Sequence, residues 1–238
     1  MLGAGNGSDL DLPRLAEMFN EIHLVDLDGD ALARGHAALP ARLRERVVLH
    51  PDVDLTGLIE HLDDWGDAFP AEADLGRAAV PAIQSILGSI LTRAGRRFDT
   101  VVSTCVLSQL AVPFHRAWLL PASAWANLHA ALTAIHLSTL SGLTAPGGTG
   151  LLIFDVLSSK NAPALRELDP EALEAIEAFA KAHLAAGKTL EPEPSSLLLR
   201  LQSPGMERIV ETPRLTPPWS WDIGAETQLV YGLVFRRP

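Results

Sequence analysis

Residues 1–12 read MLGAGNGSDLDL, with Gly3, Gly5 and Gly7 at alternate positions only two residues into the chain. Glycine reaches φ > 0 without penalty and lets backbone approach a ligand with no Cβ in the way. A turn of this kind follows a buried strand, which ordinarily spans about five or six residues. Here only Met1 and Leu2 precede it. The expectation is therefore of a sequence that is N-terminally incomplete, with its central strand curtailed at a cost in packing and ladder hydrogen bonds unless another segment takes that place.

Outward from the turn the chain alternates between two hydrophobic periods. DLPRLAEMFN (11–20) spaces Leu12, Leu15, Ala16 and Phe19 as one helical face, with Asp11 as N-cap and Pro13 in the first turn. EIHLVDLD (21–28) and RVVLHPDVD (46–54) are short apolar runs ending in acids, as buried strands emerging at a polar edge do, and DALARGHAALPARLRE (30–45) between them is helical. Residues 55–97 are helical in character, interrupted by AFPAEADLG (68–76). Phe98–Ser103 is the next buried strand, Ser123–Leu143 the longest helical candidate, TAPGGTG (144–150) its stop and LLIFD (151–155) another strand.

The last third differs in style. DPEALEAIEAFAKAHLAAGK (169–188) has Asp169 as N-cap, Pro170 at the first helical position, glutamates in the first turn and Gly187 past the end. EPEPSS (191–196) reads as an exposed turn. The tail reads as two strands around a Pro/Trp-rich connection, with Trp219 and Trp221 anchoring it and Gln228–Arg236 antiparallel. The pattern predicts an α/β fold over one domain, 1–238: a mostly parallel twisted sheet with helices on both faces and an antiparallel C-terminal strand. Residues 1–155 form its ligand-binding half and 156–238 the C-terminal helix and antiparallel strands, on the substrate side.

Composition narrows the function. The 238 residues carry a formal net charge of -10 and are 47% hydrophobic, which supports a sizeable core and disfavours a non-specific grip on nucleic acid or an anionic membrane. A single cysteine, Cys105, excludes an internal disulfide framework and a multi-cysteine zinc site. His129 and His136 are seven apart on one helical face, but no carboxylate or cysteine completes a metal set. With no secretory signal and no apolar run read as a membrane span, the expected location is cytoplasmic.

In parallel α/β sheets ligands sit beyond the carboxyl ends of the strands, where the distinctive residues fall. Gly3-Ala4-Gly5-Asn6-Gly7 is one such stretch, and Asp26, nineteen residues after Gly7, is a carboxylate able to accept from both hydroxyls of a ribose. In HPDVD (50–54), Asp52 or Asp54 could accept an adenine amino proton while a neighbouring backbone amide serves a ring nitrogen. STCV (103–106) follows the third strand, close to where a ligand's reactive end would lie.

Taken in order, LGAGNG, HLVDLD, HPDVD, FDTVVSTCVLSQL and LTAPGGTGLLIFD resemble the class I S-adenosylmethionine-dependent methyltransferases, a Rossmann-like family, over roughly residues 1–155. QLVYGLVFRR fits the antiparallel strand that ends that fold. The resemblance implies S-adenosylmethionine as cofactor, bordered by Gly3, Ala4, Gly5, Asn6 and Gly7. It implies Asp26 on the ribose, Leu27 packed on the adenine and Asp52 with Val53 at the adenine edge. Ser103, Thr104 and Cys105 would lie along the methionyl part and the substrate entrance. The acidic residue usual two positions before the first glycine is here Met1.

The implied reaction is methyl transfer to a small-molecule or protein acceptor, with His115 and Asp155 as candidate bases. Two other readings share the glycine turn: a non-catalytic binding or assembly module, and an NAD-dependent oxidoreductase. The latter is disfavoured because Ser8 stands where G-x-G-x-x-G needs its third glycine.

Overall fold

Ile22–Val25 (β1) is buried along its whole length and pairs in parallel with Val47–His50 (β2), as two short apolar runs bounded by acids require. The computed structural model describes residues 1–65, 70–117 and 121–238, with backbone alone for 63, 64 and 115–117. Helix α1 (Leu12–Met18) starts where Asp11 accepts from the Arg14 N–H, as its N-cap signal predicts. The second helical run is two helices, α2 (Gly29–Ala38) and α3 (Ala41–Arg44), because Leu39 is extended ahead of Pro40.

After β2 come α4 (Leu62–Trp65) and α5 (Glu72–Ala94). Helix α5 starts inside the stretch read as an interruption, and Asp74 accepts from the Ala71 N–H to close its first turn; positions 66–69 of that interruption lie outside the described residues. Then follow β3 (Phe98–Thr104), α6 (Val112–Ala117), α7 (Ala122–Leu143) and β4 (Thr144–Ser158), which leaves α7 with no intervening loop. Arg237 holds that junction by donating to the carbonyls of Ser141, Gly142 and Thr144 at 3.2, 3.2 and 2.6 Å.

Three readings of the last third are corrected. Asp169 accepts from the Glu171 N–H in a local turn, so α8 (Leu173–Ala185) starts three residues after Pro170. EPEPSS is not just a turn: Glu193 accepts from Ser195 and Ser196 N–H and caps α9 (Pro194–Leu201). Trp219 and Trp221 lie in a strand, β6 (Trp219–Asp222), between β5 (Glu211–Leu215) and β7 (Thr227–Arg236).

The sheet is mixed. β3 and β4 are parallel, whereas β7 is antiparallel to β4 and its outer edge is shared end to end by β5 and β6, both antiparallel to it. The expectation of a mostly parallel sheet fails at this edge because the β6–β7 connection is a few residues, too short for the crossover that a parallel pair needs. The antiparallel C-terminal strand is as expected.

Leu2 joins the two parallel pairs, bridging Val25 on one side and Ser103 on the other. Leu2 N–H donates to Val102 O at 2.7 Å, Thr104 N–H to Leu2 O at 3.3 Å and Val25 N–H to Met1 O at 3.0 Å. The Met1 amine donates to His23 O at 2.8 Å, and burial pushes its pKa down to about 5. Met1 and Leu2 thus stand in the central strand's position. Below them a narrow apolar slot separates β1 from β3, walled by Leu15, Phe19, Ile22, Ile90, Phe98 and Leu143.

Alternation along β1 divides the core. Ile22 and Leu24 pack with Leu12, Ala16, Leu32 and Leu43 of the α1–α3 layer and with Val47 of β2, while Val25 joins Val101, Leu152 and Phe154 under α5 and α7. Helix α5 is the one described helix long and apolar enough to cross a membrane; its Leu75, Ala82, Ile86 and Ile90 are buried in the core.

His136 of α7 is fully buried with Nε2 2.7 Å from Ser103 Oγ, and burial lowers its pKa from 6.5 to about 4. The unfolded chain therefore takes up this proton first. The stability that depends on a neutral His136 is complete above pH 6.5 and is lost as pH falls to 4, by about 3 kcal/mol. Urea titrations of wild type and His136→Gln over that range are expected to show a shallower acid loss in the variant.

Candidate functional site

The site grows from the end of β1. Asp26 follows Val25, and both carboxylate oxygens already hold backbone: Oδ2 accepts from Gly5 N–H at 2.7 Å and Oδ1 from Asp28 N–H at 2.9 Å. Two oxygens offer about four lone-pair directions, so acceptor capacity remains for a ligand. Asp28 in turn accepts from the Ala31 N–H at 2.7 Å as the N-cap of α2.

The glycine turn is shaped by left-handed backbone at Gly3, Gly5 and Gly7, with φ of 71°, 51° and 72°. A Cβ on Gly3 would strike Val106 Cγ2 at 1.8 Å, whereas the space beside Gly5 is open, so only Gly5 faces room for a ligand. Sequence reasoning passed over Gly35, in the middle of α2, where a Cβ would lie 1.9 Å from the Asn6 carbonyl oxygen. The signal was present: a glycine inside a helical pattern marks a close approach of another backbone.

A cavity of about 650 Å³ opens at this edge of the sheet. Of the residues singled out from sequence, Gly3, Ala4, Gly5, Asn6, Asp26, Leu27, Val53, Thr104, Cys105 and Asp155 line it. Leu27 is 49% exposed, an apolar face available to a flat ring. Asp9, Asp28, Ser108, Gln109, Trp221, Ile223 and Gln228 line the cavity too and were not picked out as cofactor or catalytic residues. They come from four separate parts of the chain, and no local spacing links them.

Three of the predicted residues lie elsewhere. Gly7 closes the turn, donating to Ala4 O at 2.8 Å, and is outside the cavity wall. Ser103 is turned to the opposite face, onto His136, because Thr104 takes the cavity side of β3 and strand side chains alternate. Asp52 sits at φ 58°, and its side chain is carried to the outer side, beside Pro51 and Gly29. Asp54 does reach the cavity, but its carboxylate is engaged by Thr56 N–H, Thr56 Oγ1 and Ile59 N–H at 2.8, 2.7 and 3.0 Å. Val53 N–H donates to Asp26 O at 3.1 Å and is not offered to a ring nitrogen.

At the far end, Ser108 Oγ donates to Asp155 Oδ1 at 2.9 Å, from the turn after β3 to β4. His115 belongs to α6, and its side chain lies outside the described residues. Cys105, at φ 49°, has its thiol pKa pushed up to about 12, by burial first and then by Asp155. It stays a thiol at neutral pH, and at pH 8 its alkylation by iodoacetamide is expected to run at least tenfold slower than that of free cysteine. His129 packs edge-on against Trp125, and no group of three or more metal-ligating side chains exists among the described residues.

No family model matches the chain, and neither does any curated protein sequence. Among solved structures, one from work on the conversion of a disulfide bond into a thioacetal group during echinomycin biosynthesis aligns with 99% of this chain and 73% of its own, at 14% identity and a TM-score of 0.43. A second, the methyltransferase domain of bacterial CtHen1-CN, aligns with 99% of this chain and 87% of its own, at 13% identity and a TM-score of 0.43.

Proposed function

We propose that this chain is an S-adenosylmethionine-dependent methyltransferase acting on a small-molecule or protein acceptor. The observation that carries the reading is Asp26: a strand-end carboxylate tied to the glycine turn through Gly5 N–H, at the rim of a cavity of about 650 Å³. The residues present fit the cofactor. Asp26 keeps lone pairs for two ribose hydroxyls, Leu27 offers an apolar surface to the adenine, and the open side of Gly5 admits backbone contact. Met1 supplies no carboxylate to the methionine ammonium; Asp9 is a cavity-lining carboxylate available for it.

The cofactor, when bound, supplies an activated sulfonium methyl. The chain's contribution is alignment and exclusion of water by the cavity walls. Asp155 is the candidate proton acceptor when the acceptor's nucleophile carries a proton, and Ser108 orients it. Asp155→Asn is expected to lower kcat by about a hundredfold with S-adenosylhomocysteine affinity little changed; equal turnover would remove Asp155 from the chemistry.

The test of the whole reading is binding. S-adenosylhomocysteine is expected to raise Tm and to bind in calorimetry with a 1:1 stoichiometry, whereas NADH is not. A Tm raised by NADH alone would favour the oxidoreductase, and silence with both would favour the non-catalytic module.

A further inference from the structure

The cavity does not end at the carboxyl edge of the sheet. Asp9, Leu10, Thr104 and Trp221 line it and also line a second hollow of about 510 Å³ that runs down the sheet face opposite α7. The floor of that hollow follows from register: Val102 pairs with Leu151 and Thr104 with Ile153, so alternation points these four side chains to one face. Met18, 69% exposed, and the half-buried Trp219 flank it. Most of this groove is apolar and continuous with the proposed reaction site.

The cavity itself is of one sign. Five aspartates, Asp9, Asp26, Asp28, Asp54 and Asp155, line it, with no lysine or arginine among its described residues. An acceptor bearing a carboxylate or phosphate near its nucleophile would meet that field with no cation to offset it.

Resting on the methyltransferase reading, we infer that the acceptor is an elongated, largely apolar small molecule whose nucleophilic end is neutral or basic. Its body lies in the groove over Leu151 and Ile153, and its reactive end reaches past Thr104 toward Asp155. Continuity is what selects this occupant: the groove meets the cavity through shared residues, so a body lying in it has its end at the site.

Two fluorescent probes with the same aromatic body test the assignment on the full chain. N-phenyl-1-naphthylamine is neutral, and 1-anilinonaphthalene-8-sulfonate carries an anion. The neutral probe is expected to bind at one site at least tenfold more tightly than the sulfonate. Ile153→Arg is expected to weaken it at least tenfold with S-adenosylhomocysteine affinity unchanged. Leu151→Gln, which adds no charge, serves as a second variant should the first fail to fold.

The inference is overturned by a sulfonate that binds as tightly as the amine, or by a neutral probe indifferent to both variants. It is also overturned by a dimer that Ile153→Arg splits, which would make a second copy the occupant. Loss of S-adenosylhomocysteine binding in the wild type, with probe behaviour as expected, would instead strike the cofactor reading and leave the groove assignment standing.

Discussion

Gly35→Ala is expected to lower Tm and to weaken S-adenosylhomocysteine binding at least tenfold, although residue 35 is remote in sequence from the glycine turn. On helix propensity alone the change should stabilise the chain by about 1 kcal/mol. The new Cβ, however, would stand 1.9 Å from the Asn6 carbonyl oxygen, 2.6 Å from its carbon and 3.1 Å from its Cα. These are backbone atoms, so no rotamer relieves the clash, and either α2 or the turn must move. Overpacking of this kind costs about 1 to 3 kcal/mol, which outweighs the propensity gain. A displaced turn also breaks the 2.7 Å bond from Gly5 N–H to Asp26, so fold and site fail together. Gly88→Ala is the control: it lies within α5 with open space where its Cβ would be, and is expected to be neutral or mildly stabilising. Equal outcomes for the two glycines in thermal melts and calorimetry would remove the close approach from the account.

Asp26→Ala carries the second large effect. The side chain accepts from Gly5 and Asp28 backbone amides and is assigned the ribose hydroxyls, so its loss leaves donors on both sides unsatisfied. Hydrogen bonds to charged groups contribute about 1.5 to 3 kcal/mol each, which places the loss of cofactor affinity at about tenfold to about 150-fold even if a single ligand bond is involved. Asp26→Asn separates the roles: it keeps one acceptor oxygen for Gly5 N–H and is expected to retain most of the stability while losing much of the affinity. Calorimetry of the three proteins reads both, and unchanged affinity in Asp26→Ala would take the residue out of the site.

Much of this architecture was legible in the chain. β1, β2 and β3 are apolar runs ending in polar residues, and Asp11 and Gly187 mark helix ends as capping rules require. What could not be read depended on partners. The mixed character of the sheet arises where β5, β6 and β7 choose neighbours, and two short strands sharing one edge of β7 leave no mark in local periodicity. Ser103 is expected at the cavity as part of the STCV stretch that ends the third strand, but one residue of register reverses a side chain, so Ser103 and Thr104, adjacent in sequence, lie on opposite faces. Asp52 and Asp54 were interchangeable on paper, and the left-handed turn at Asp52 distinguishes them. Asp155 and Ser108 are 47 residues apart and meet only through the β3–β4 pairing.

The buried amine of Met1 has a practical side. Burial lowers its pKa to about 5 and leaves it a neutral amine at pH 7, but the same burial, with the hydrogen bond to His23 O, shields it from acylating reagents, which reach the exposed Lys160, Lys181 and Lys188 first.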